Sequence, residues 1–181
     1  MIYFWSDTHF NHDAIRRYCT RPFKDVAEMN ESMVSRWNAV VRPQDTIYHL
    51  GDFGFSHSQL EPLEAIFGRL QGHKHLVIGN HDEKNPAALK LPWESKQHIR
   101  VVKHEGTKIV LCHYPIESWP SAHHGALHLH GHCHGTLKRV VPHRWDMGVD
   151  VWGDGPVGID LVLAMAASQG SHVPSDHHGD L

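Results

Sequence analysis

The sequence has few cysteines, no long apolar run and no excess of basic residues. Three cysteines among 181 residues are too few, and odd in number, for a disulfide framework, which favours a reducing compartment. No apolar run approaches the roughly 20 residues of a membrane-spanning helix. The apolar start at residues 1–5 is too short for a signal peptide. We therefore expect a cytoplasmic protein that does not bind membranes.

The charge balance excludes one class of partner, and the histidine content favours another. A formal net charge of -3 provides no positive field for a long nucleic acid, so strong general nucleic-acid binding is not expected. Histidine, in contrast, occurs 20 times. Because histidine is the commonest metal ligand and the usual acid–base group near neutral pH, this abundance favours metal binding or catalysis.

The first half of the sequence alternates between apolar strands and amphipathic helices. Residues 2–6, 46–50 and 74–78 predict strands, and helices are predicted over 26–41 and from Ser58 to about Leu70. This order predicts parallel strands joined by right-handed crossovers. Sheets of this kind carry their sites at the carboxyl ends of the strands.

The second half predicts a different sheet. Residues 99–104, 107–112, 126–130, 137–141 and 147–151 are short and rich in Val, Ile and Leu, and residues 105–107 predict a hairpin turn. We expect a largely antiparallel sheet, an edge strand at 156–157 and a closing helix over 159–167. One domain is predicted over residues 1–167, followed by a flexible polar tail over 168–181.

Five polar clusters follow the predicted strands. Alone, each has an ordinary explanation such as a turn, a helix cap or an incidental His-rich stretch, but all five in order at strand ends favour a metal site. Their Asp, His and Asn side chains suit two borderline-hard metal ions in one site, which can activate water against phosphorus. Asp52 suits the bridging position, because its two oxygens and full charge offset cation repulsion. The clusters are Asp7-Thr8-His9, Gly51-Asp52, Gly79-Asn80-His81-Asp82, His113 and Gly131-His132-Cys133-His134.

From Met1 to about Leu163 the sequence resembles the calcineurin-like metallophosphoesterase family, in particular small single-domain members of bacterial or phage type. The family motifs Asp-x-His, Gly-Asp, Gly-Asn-His-Asp/Glu, a single His and Gly-His-x-His are all present. The resemblance implies an α/β (α+β) fold: two packed mixed β-sheets flanked by helices, as a four-layer αββα sandwich.

The resemblance also implies a metal-binding role for seven residues. Two metal ions would share the site, and a hydroxide lying between them would attack phosphorus in line. Manganese is expected first and iron next, and the ligand set also allows Zn, Co or Ni. The first ion would be bound by Asp7, His9 and His134, the second by Asn80, His113 and His132, and Asp52 would bridge them.

Four further residues have predicted roles in catalysis or substrate binding. By the resemblance, His81 would donate a proton to the leaving oxygen or hold the phosphate, and Asp82 would orient the His81 ring. Asp82 could instead cap the following turn. Asn11 and His12 follow the first motif closely enough to reach a substrate, with a role in loop structure as the alternative.

The sequence therefore predicts a binuclear-metal phosphoesterase that acts on a small phosphoester such as a nucleotide. A phosphodiesterase is favoured by the resemblance and by the lack of an obvious basic cluster for a dianionic monoester. The alternatives are a phosphomonoesterase or protein phosphatase with the same metals, and a metal-binding member without catalysis. A substrate panel separates the first alternative from the prediction. The oligomeric state is not predicted.

Overall fold

The computed structural model describes residues 1–56 and 60–169. Its first sheet has four parallel strands, β1 (Ile2–Trp5), β2 (Thr46–His49), β3 (His73–Val77) and β4 (Ser95–Gln97). A short strand, β9 (Val157–Gly158), pairs antiparallel with β1, so the strand order is β4-β3-β2-β1-β9. The carboxyl ends of β1, β2 and β3 therefore lie at one edge of this sheet.

The second sheet contains β5 (Ile99–His104), β6 (Thr107–Cys112), β7 (Leu127–His130) and β8 (Arg144–Asp146), in that order. The predicted hairpin turn between β5 and β6 is confirmed: Glu105 and Gly106 both have positive φ, at 46° and 83°. Among the described strands of this sheet only β5 and β6 pair antiparallel, whereas β6, β7 and β8 run parallel to one another. The prediction of a largely antiparallel sheet was therefore wrong.

Long connections explain this difference. Residues 113–126 and 131–143 separate the parallel strands, and parallel neighbours need crossovers of about a dozen residues or more. Two predicted strands were also misplaced. Residues 137–141 form no strand, and Val140 there is 83% exposed. The strand predicted at 147–151 lies at 144–146 instead.

The α-helices of the described residues are α1 (Asp13–Tyr18), α2 (Val26–Val40), α3 (Glu61–Phe67), α4 (Asn80–Lys84), α5 (Pro86–Lys90) and α6 (Ile159–Gln169). The longest of these, α2, is capped by Asp25, whose side chain accepts a hydrogen bond from the Glu28 N–H at 2.8 Å. Met29, Met33 and Trp37 recur at helical spacing along its buried face. The predicted amphipathic helix is therefore confirmed, one residue shorter than expected.

Alternation along β1 divides the core between two layers. Trp5 packs with α2 and α3 in one apolar cluster, whereas Phe4 faces a second cluster between the sheets. Leu111 and Leu129 contribute to this second cluster from β6 and β7. The other face of β6 is covered by residues 116–126, which include a 3₁₀ turn at Ala122–His124. Two packed mixed sheets flanked by helices are confirmed as the fold.

The ends of the predicted elements differ in places. The last helix extends to Gln169, so Ser168 and Gln169 belong to α6 rather than to the predicted tail. The rest of that tail, and Ser58 as the predicted cap of α3, lie outside the described residues. Across the described ranges, none of the helices has the length and apolar character needed to cross a membrane.

Candidate metal centre

Each of the five polar clusters begins within two residues of the end of a strand, and backbone hydrogen bonds join the loops. The Asp7 N–H donates to the Gly51 carbonyl at 3.0 Å, and the Gly131 N–H donates to the His113 carbonyl at 2.9 Å. These bonds connect loops of the first sheet with one another, and loops of the second sheet likewise. The first predicted ligand after each strand is Asp7 after β1, Asp52 after β2, Asn80 after β3, His113 after β6 and His132 after β7.

Asp7, His9 and His134 form the first ligand group. One ligand atom from each lies within 4.8 Å of the other two. Nε2 of His134 is 3.9 Å from Oδ1 of Asp7, and the imidazoles of His9 and His134 stack with centroids 5.4 Å apart. Asp7 and His9 are buried, and His134 is half-buried. This group matches the set predicted for one metal ion.

Asp52, His113 and His132 form the second ligand group, again within 4.8 Å of one another. Oδ1 of Asn80 lies 3.1 Å from Nε2 of His113, which adds the predicted amide oxygen. Oδ2 of Asp52 lies 3.4 Å from Nε2 of His113 and 3.6 Å from Nε2 of His9. The carboxylate of Asp52 therefore stands between the two groups, where a bridging ligand is needed.

Two imidazole nitrogens of this cluster are placed to bind cations. Nδ1 of His113 donates to the Leu50 carbonyl at 2.8 Å, so a neutral ring turns an unprotonated Nε2 toward the oxygens of Asp52 and Asn80. The lone pair of this nitrogen would then face the lone pairs of the two oxygens, and a positive charge is needed between them. Nε2 of His9 is buried without a hydrogen-bond partner in the described part of the chain. The oxygen and imidazole donors suit Mn, Fe, Zn, Co or Ni.

The pKa values of these groups show the same demand for positive charge. Burial raises the pKa of Asp7 to about 7. Burial also acts to raise the pKa of Asp52, but the hydrogen bond and charge of His113 hold it well below its usual range. For His113, burial opposes protonation, yet Asp52 and Asp7 raise its pKa to about 9. A metal cation would take the place of these protons, so binding would release them.

Five of the seven predicted ligands adopt left-handed backbone conformations. Residues other than glycine rarely do so, and the strain of such conformations is concentrated at functional sites. Glycine is also required beside them. Gly51 has φ of 100°, and a Cβ there would lie 2.5 Å from Nδ1 of His113. The five residues are Asp7 (φ 57°), His9 (49°), Asp52 (56°), His132 (69°) and His134 (48°).

His81 lies beside the two groups rather than within them. Its ring is edge-on to that of His9, with centroids 5.0 Å apart, and 6.0 Å from that of His12. Its backbone N–H donates to Oδ1 of Asp52 at 2.8 Å. Oδ2, the other oxygen of Asp52, therefore faces Nε2 of His9 and Nε2 of His113. This placement is compatible with the predicted contact to a substrate.

The structure does not place Asp82 as an orienting partner of His81. The carboxylate is fully buried and accepts hydrogen bonds from the backbone N–H groups of Gly79 (2.9 Å), Asp52 (2.8 Å) and Phe53 (2.9 Å). Both oxygens are thus committed to backbone donors. An orienting role toward the His81 ring stays a prediction. The contact with the Gly79 N–H is the turn cap that was the alternative for Asp82, and the contacts with Asp52 and Phe53 join the second loop to the third.

Asn11 and His12 are both near the site. Asn11 exchanges two hydrogen bonds with Asn30, its N–H donating at 3.0 Å and its Oδ1 accepting at 2.6 Å. Its Nδ2, like Nδ1 of His12, is buried without a hydrogen-bond partner among the described residues. The His12 ring lies 5.5 Å from that of His9. A role in substrate binding stays a prediction for both residues.

Sequence reasoning missed Arg21 and Asp150. Asp150 accepts a hydrogen bond from Nδ1 of His134 at 2.6 Å, and Arg21 donates to the same carboxylate. Burial alone would raise the pKa of Asp150, but His134 and Arg21 lower it to about 2. Asp150 follows β8 at a distance of a few residues, and an acidic residue after a strand was the one available signal.

Comparison with known proteins identifies the family. The family model for calcineurin-like phosphoesterases matches residues 1–180. The chain belongs to the calcineurin-like phosphoesterase family. Family membership and the two ligand groups support a metal-dependent phosphoric ester hydrolase.

The similarity to individual relatives covers most of the chain. An uncharacterized protein of Methanocaldococcus jannaschii, MJ1445, is 34% identical over 170 residues, which cover 91% of this chain and 90% of that protein. The Gene 66 protein of Mycobacterium phage D29 is 26% identical, covering 84% and 89% respectively. The crystal structure of AQ665 from Aquifex aeolicus, a protein of unknown function, superposes with a TM-score of 0.75 at 27% identity. That superposition covers 91% of this chain and 98% of AQ665.

Proposed function

We propose that this phosphoesterase is a binuclear-metal phosphodiesterase. The position of Asp52 carries the proposal, because its Oδ2 is 3.4 Å from His113 Nε2 of one ligand group and 3.6 Å from His9 Nε2 of the other. A carboxylate shared in this way supports two adjacent cations rather than one. Manganese is the ion we propose first, on family resemblance.

The bound ions would lower the pKa of a water ligand and neutralise charge on the phosphoryl oxygens. The residues of the chain have separate tasks around them. His81, beside the groups and half-buried, is proposed to donate a proton to the leaving oxygen. The unpaired Nδ2 of Asn11 is proposed to donate to a phosphoryl oxygen, with the His12 ring next to it.

The charges near the site favour a diester over a monoester. Arg21 approaches the ligand groups, but its guanidinium is committed to Asp150 and to the carbonyls of Asp7 and Thr8. A monoanionic diester needs fewer cationic partners than a dianionic monoester. His132 is exposed, so the site opens to solvent and fits a small substrate such as a nucleotide diester.

Initial hydrolysis rates test the proposal directly. Metal-stripped protein would be supplied with Mn²⁺ and given bis-p-nitrophenyl phosphate or p-nitrophenyl phosphate. We expect faster, metal-dependent turnover of the diester. Faster turnover of the monoester would establish a phosphomonoesterase, and two bound ions with no turnover of either would indicate a metal-binding member without catalysis.

Two variants separate the roles of the residues. Asp52→Asn and His81→Ala should each lower turnover by orders of magnitude, the second most strongly for diesters with poor leaving groups. His98→Ala is the matched control, because the His98 side chain is 67% exposed and pairs with Glu83 at 3.8 Å, outside both ligand groups. Unchanged turnover of poor-leaving-group substrates by His81→Ala would disprove the proton-donor role.

A further inference from the structure

Arg21 connects parts of the site that are far apart in sequence. It lies between α1 and α2, and its side chain is only 3% exposed. Nε and Nη2 donate to the two carboxylate oxygens of Asp150, each at 2.8 Å. Nη2 also donates to the Asp7 carbonyl at 2.7 Å, and Nη1 donates to the Thr8 carbonyl at 3.0 Å. One guanidinium thus holds the backbone of the first motif against Asp150.

Asp150 in turn fixes a predicted metal ligand. Its Oδ2 accepts from Nδ1 of His134 at 2.6 Å, which commits the ring proton to Nδ1 and turns Nε2 toward Asp7. The segment around Asp150 is anchored as well, because the Val149 N–H donates to the Ser6 carbonyl at 3.0 Å. The chain Arg21–Asp150–His134 therefore ends at the first ligand group. The Asp7 carboxylate of that group also accepts a hydrogen bond from the His132 N–H, at 3.0 Å to Oδ2.

We propose that Arg21 and Asp150 are positioning residues that set the metal affinity of the Asp7–His9–His134 group. This inference rests on the proposed metal centre. Arg21 fixes the backbone that carries Asp7, and Asp150 fixes the tautomer and orientation of the His134 imidazole. Partners of this kind typically change metal affinity about 10- to 100-fold when they are removed. Because the direct contacts of Arg21 and Asp150 are with Asp7 and His134, the larger effect is expected on the ion of this group.

Cys19, His134 and Asp150 could instead suggest a further ion site, since their ligand atoms also lie within 4.8 Å of one another. The contacts argue against it. Arg21 occupies both oxygens of Asp150 with a fixed positive charge, and a cation at that point would be repelled. Nδ1 of His134 carries a proton toward Asp150 and has no lone pair to offer. The cluster is a support for His134 rather than a site of its own.

Calorimetric titration of metal-stripped protein with Mn²⁺ tests the inference. The wild-type chain should show two binding events. Asp150→Ala and Arg21→Lys should weaken one of them about 10- to 100-fold and leave the other within about threefold. The isosteric Asp150→Asn keeps an oxygen for the His134 proton but loses the charge, so its loss should be smaller. His113→Ala assigns the two events, because it removes a ligand of the other group. The binding event that persists in His113→Ala should be the one that Asp150→Ala and Arg21→Lys weaken.

Asp45→Asn is the control for general destabilisation. Asp45 is a buried carboxylate at the opposite end of β2, where it accepts from the Met1 amino group and the Arg42 N–H, each at 2.8 Å. It should lower the melting temperature without selective loss of either binding event. Equal weakening of both events by Asp150→Asn, or no weakening by any Asp150 or Arg21 variant, would overturn the inference. A wild-type chain that binds no Mn²⁺ would overturn the proposed function itself, which is a distinct result.

Discussion

Oδ2 of Asp82 accepts a hydrogen bond from the backbone N–H of Asp52 at 2.8 Å. The two carboxylates therefore have different tasks despite their proximity: Asp52 faces the ligand nitrogens, and Asp82 holds the backbone from which Asp52 projects. Burial raises the pKa of Asp82 to about 6, whereas its backbone hydrogen bonds act to lower the pKa and thus favour the anion. Removing this support should disturb the metal centre indirectly.

Asp82→Asn should lower the free energy of unfolding by about 2–3 kcal/mol and weaken Mn²⁺ binding. The amide keeps one acceptor oxygen, but its NH₂ group would face a backbone N–H that has lost its acceptor. Urea unfolding of the metal-stripped protein measures the stability term. Asp25→Asn is the control, because asparagine also caps a helix and should cost a few tenths of a kcal/mol. Equal stability of the two variants would contradict this account of Asp82.

Gly51→Ala should destabilise the protein and lower metal affinity together. A Cβ at Gly51 would lie 2.5 Å from Nδ1 of His113 and 2.8 Å from the Gly79 nitrogen, in addition to the strain of φ at 100°. Gly106→Ala provides a matched control, since φ there is 83° and a Cβ meets no atom within 4 Å. It should cost about 1–2 kcal/mol from backbone strain alone and leave Mn²⁺ affinity unchanged. Similar metal affinities in both variants would rule out close packing at Gly51.

The stability of the metal-stripped protein should fall in acid partly through His128. Burial lowers the pKa of this histidine to about 4, and its Nε2 accepts a hydrogen bond from the Ile116 N–H at 3.2 Å. Below the unfolded pKa of about 6.5 the unfolded chain binds a proton that the folded chain excludes, so stability decreases as pH falls toward 4.

His128→Gln removes this titration. Between pH 7 and pH 4.5, the variant should lose about 2 kcal/mol less free energy of unfolding than the unmodified chain. Urea unfolding at the two pH values measures the difference. His98→Gln, at an exposed position, is the control variant for the histidine-to-glutamine change. A pH dependence in His128→Gln equal to that of the unmodified chain would show that His128 is not the group that excludes the proton.

Metal removal should lower the melting temperature. A ligand present at about 100 times its dissociation constant stabilises the native state by about 2.7 kcal/mol, which corresponds to about 5–10 °C for a chain of this size. Thermal unfolding with Mn²⁺ and after chelation measures the shift. In Asp52→Asn the shift should largely disappear, because both ligand groups lose the carboxylate between them. A chelator-insensitive melting temperature in the unmodified chain would contradict the metal centre.

The seven predicted ligands, which the structure brings together, could be picked out from the sequence because each lies in a short motif within a few residues of a strand end. Periodicity predicted α2 well, since Met29, Met33 and Trp37 span several turns. The helices α1, α4 and α5 have six residues or fewer, too short to show a periodic pattern. The direction of β7 was missed because an apolar run gives no direction, and only the length of its connections carries that information.

The supporting contacts were harder to predict than the ligands. Asp150 is 16 residues from His134 and 129 from Arg21 along the chain, so no local pattern links them. Asp82 belongs to a motif, but the motif does not show which donors its carboxylate meets. Those donors, at Asp52 and Phe53, come from the loop after another strand. Ligand identity is therefore local information, whereas the support of a ligand depends on tertiary structure.

The distribution of the ligands along the chain has a consequence for biosynthesis. Asp7 and His134 belong to the same group, although 127 positions separate them and they leave strands of different sheets. Because synthesis proceeds from the amino terminus, a nascent chain that ends after β4 contains neither His113 nor His134. Such a chain contains the carboxylates of Asp7 and Asp52 but lacks the histidines that complete the two ligand groups. A chain truncated before His113 should therefore be unable to hydrolyse phosphoesters.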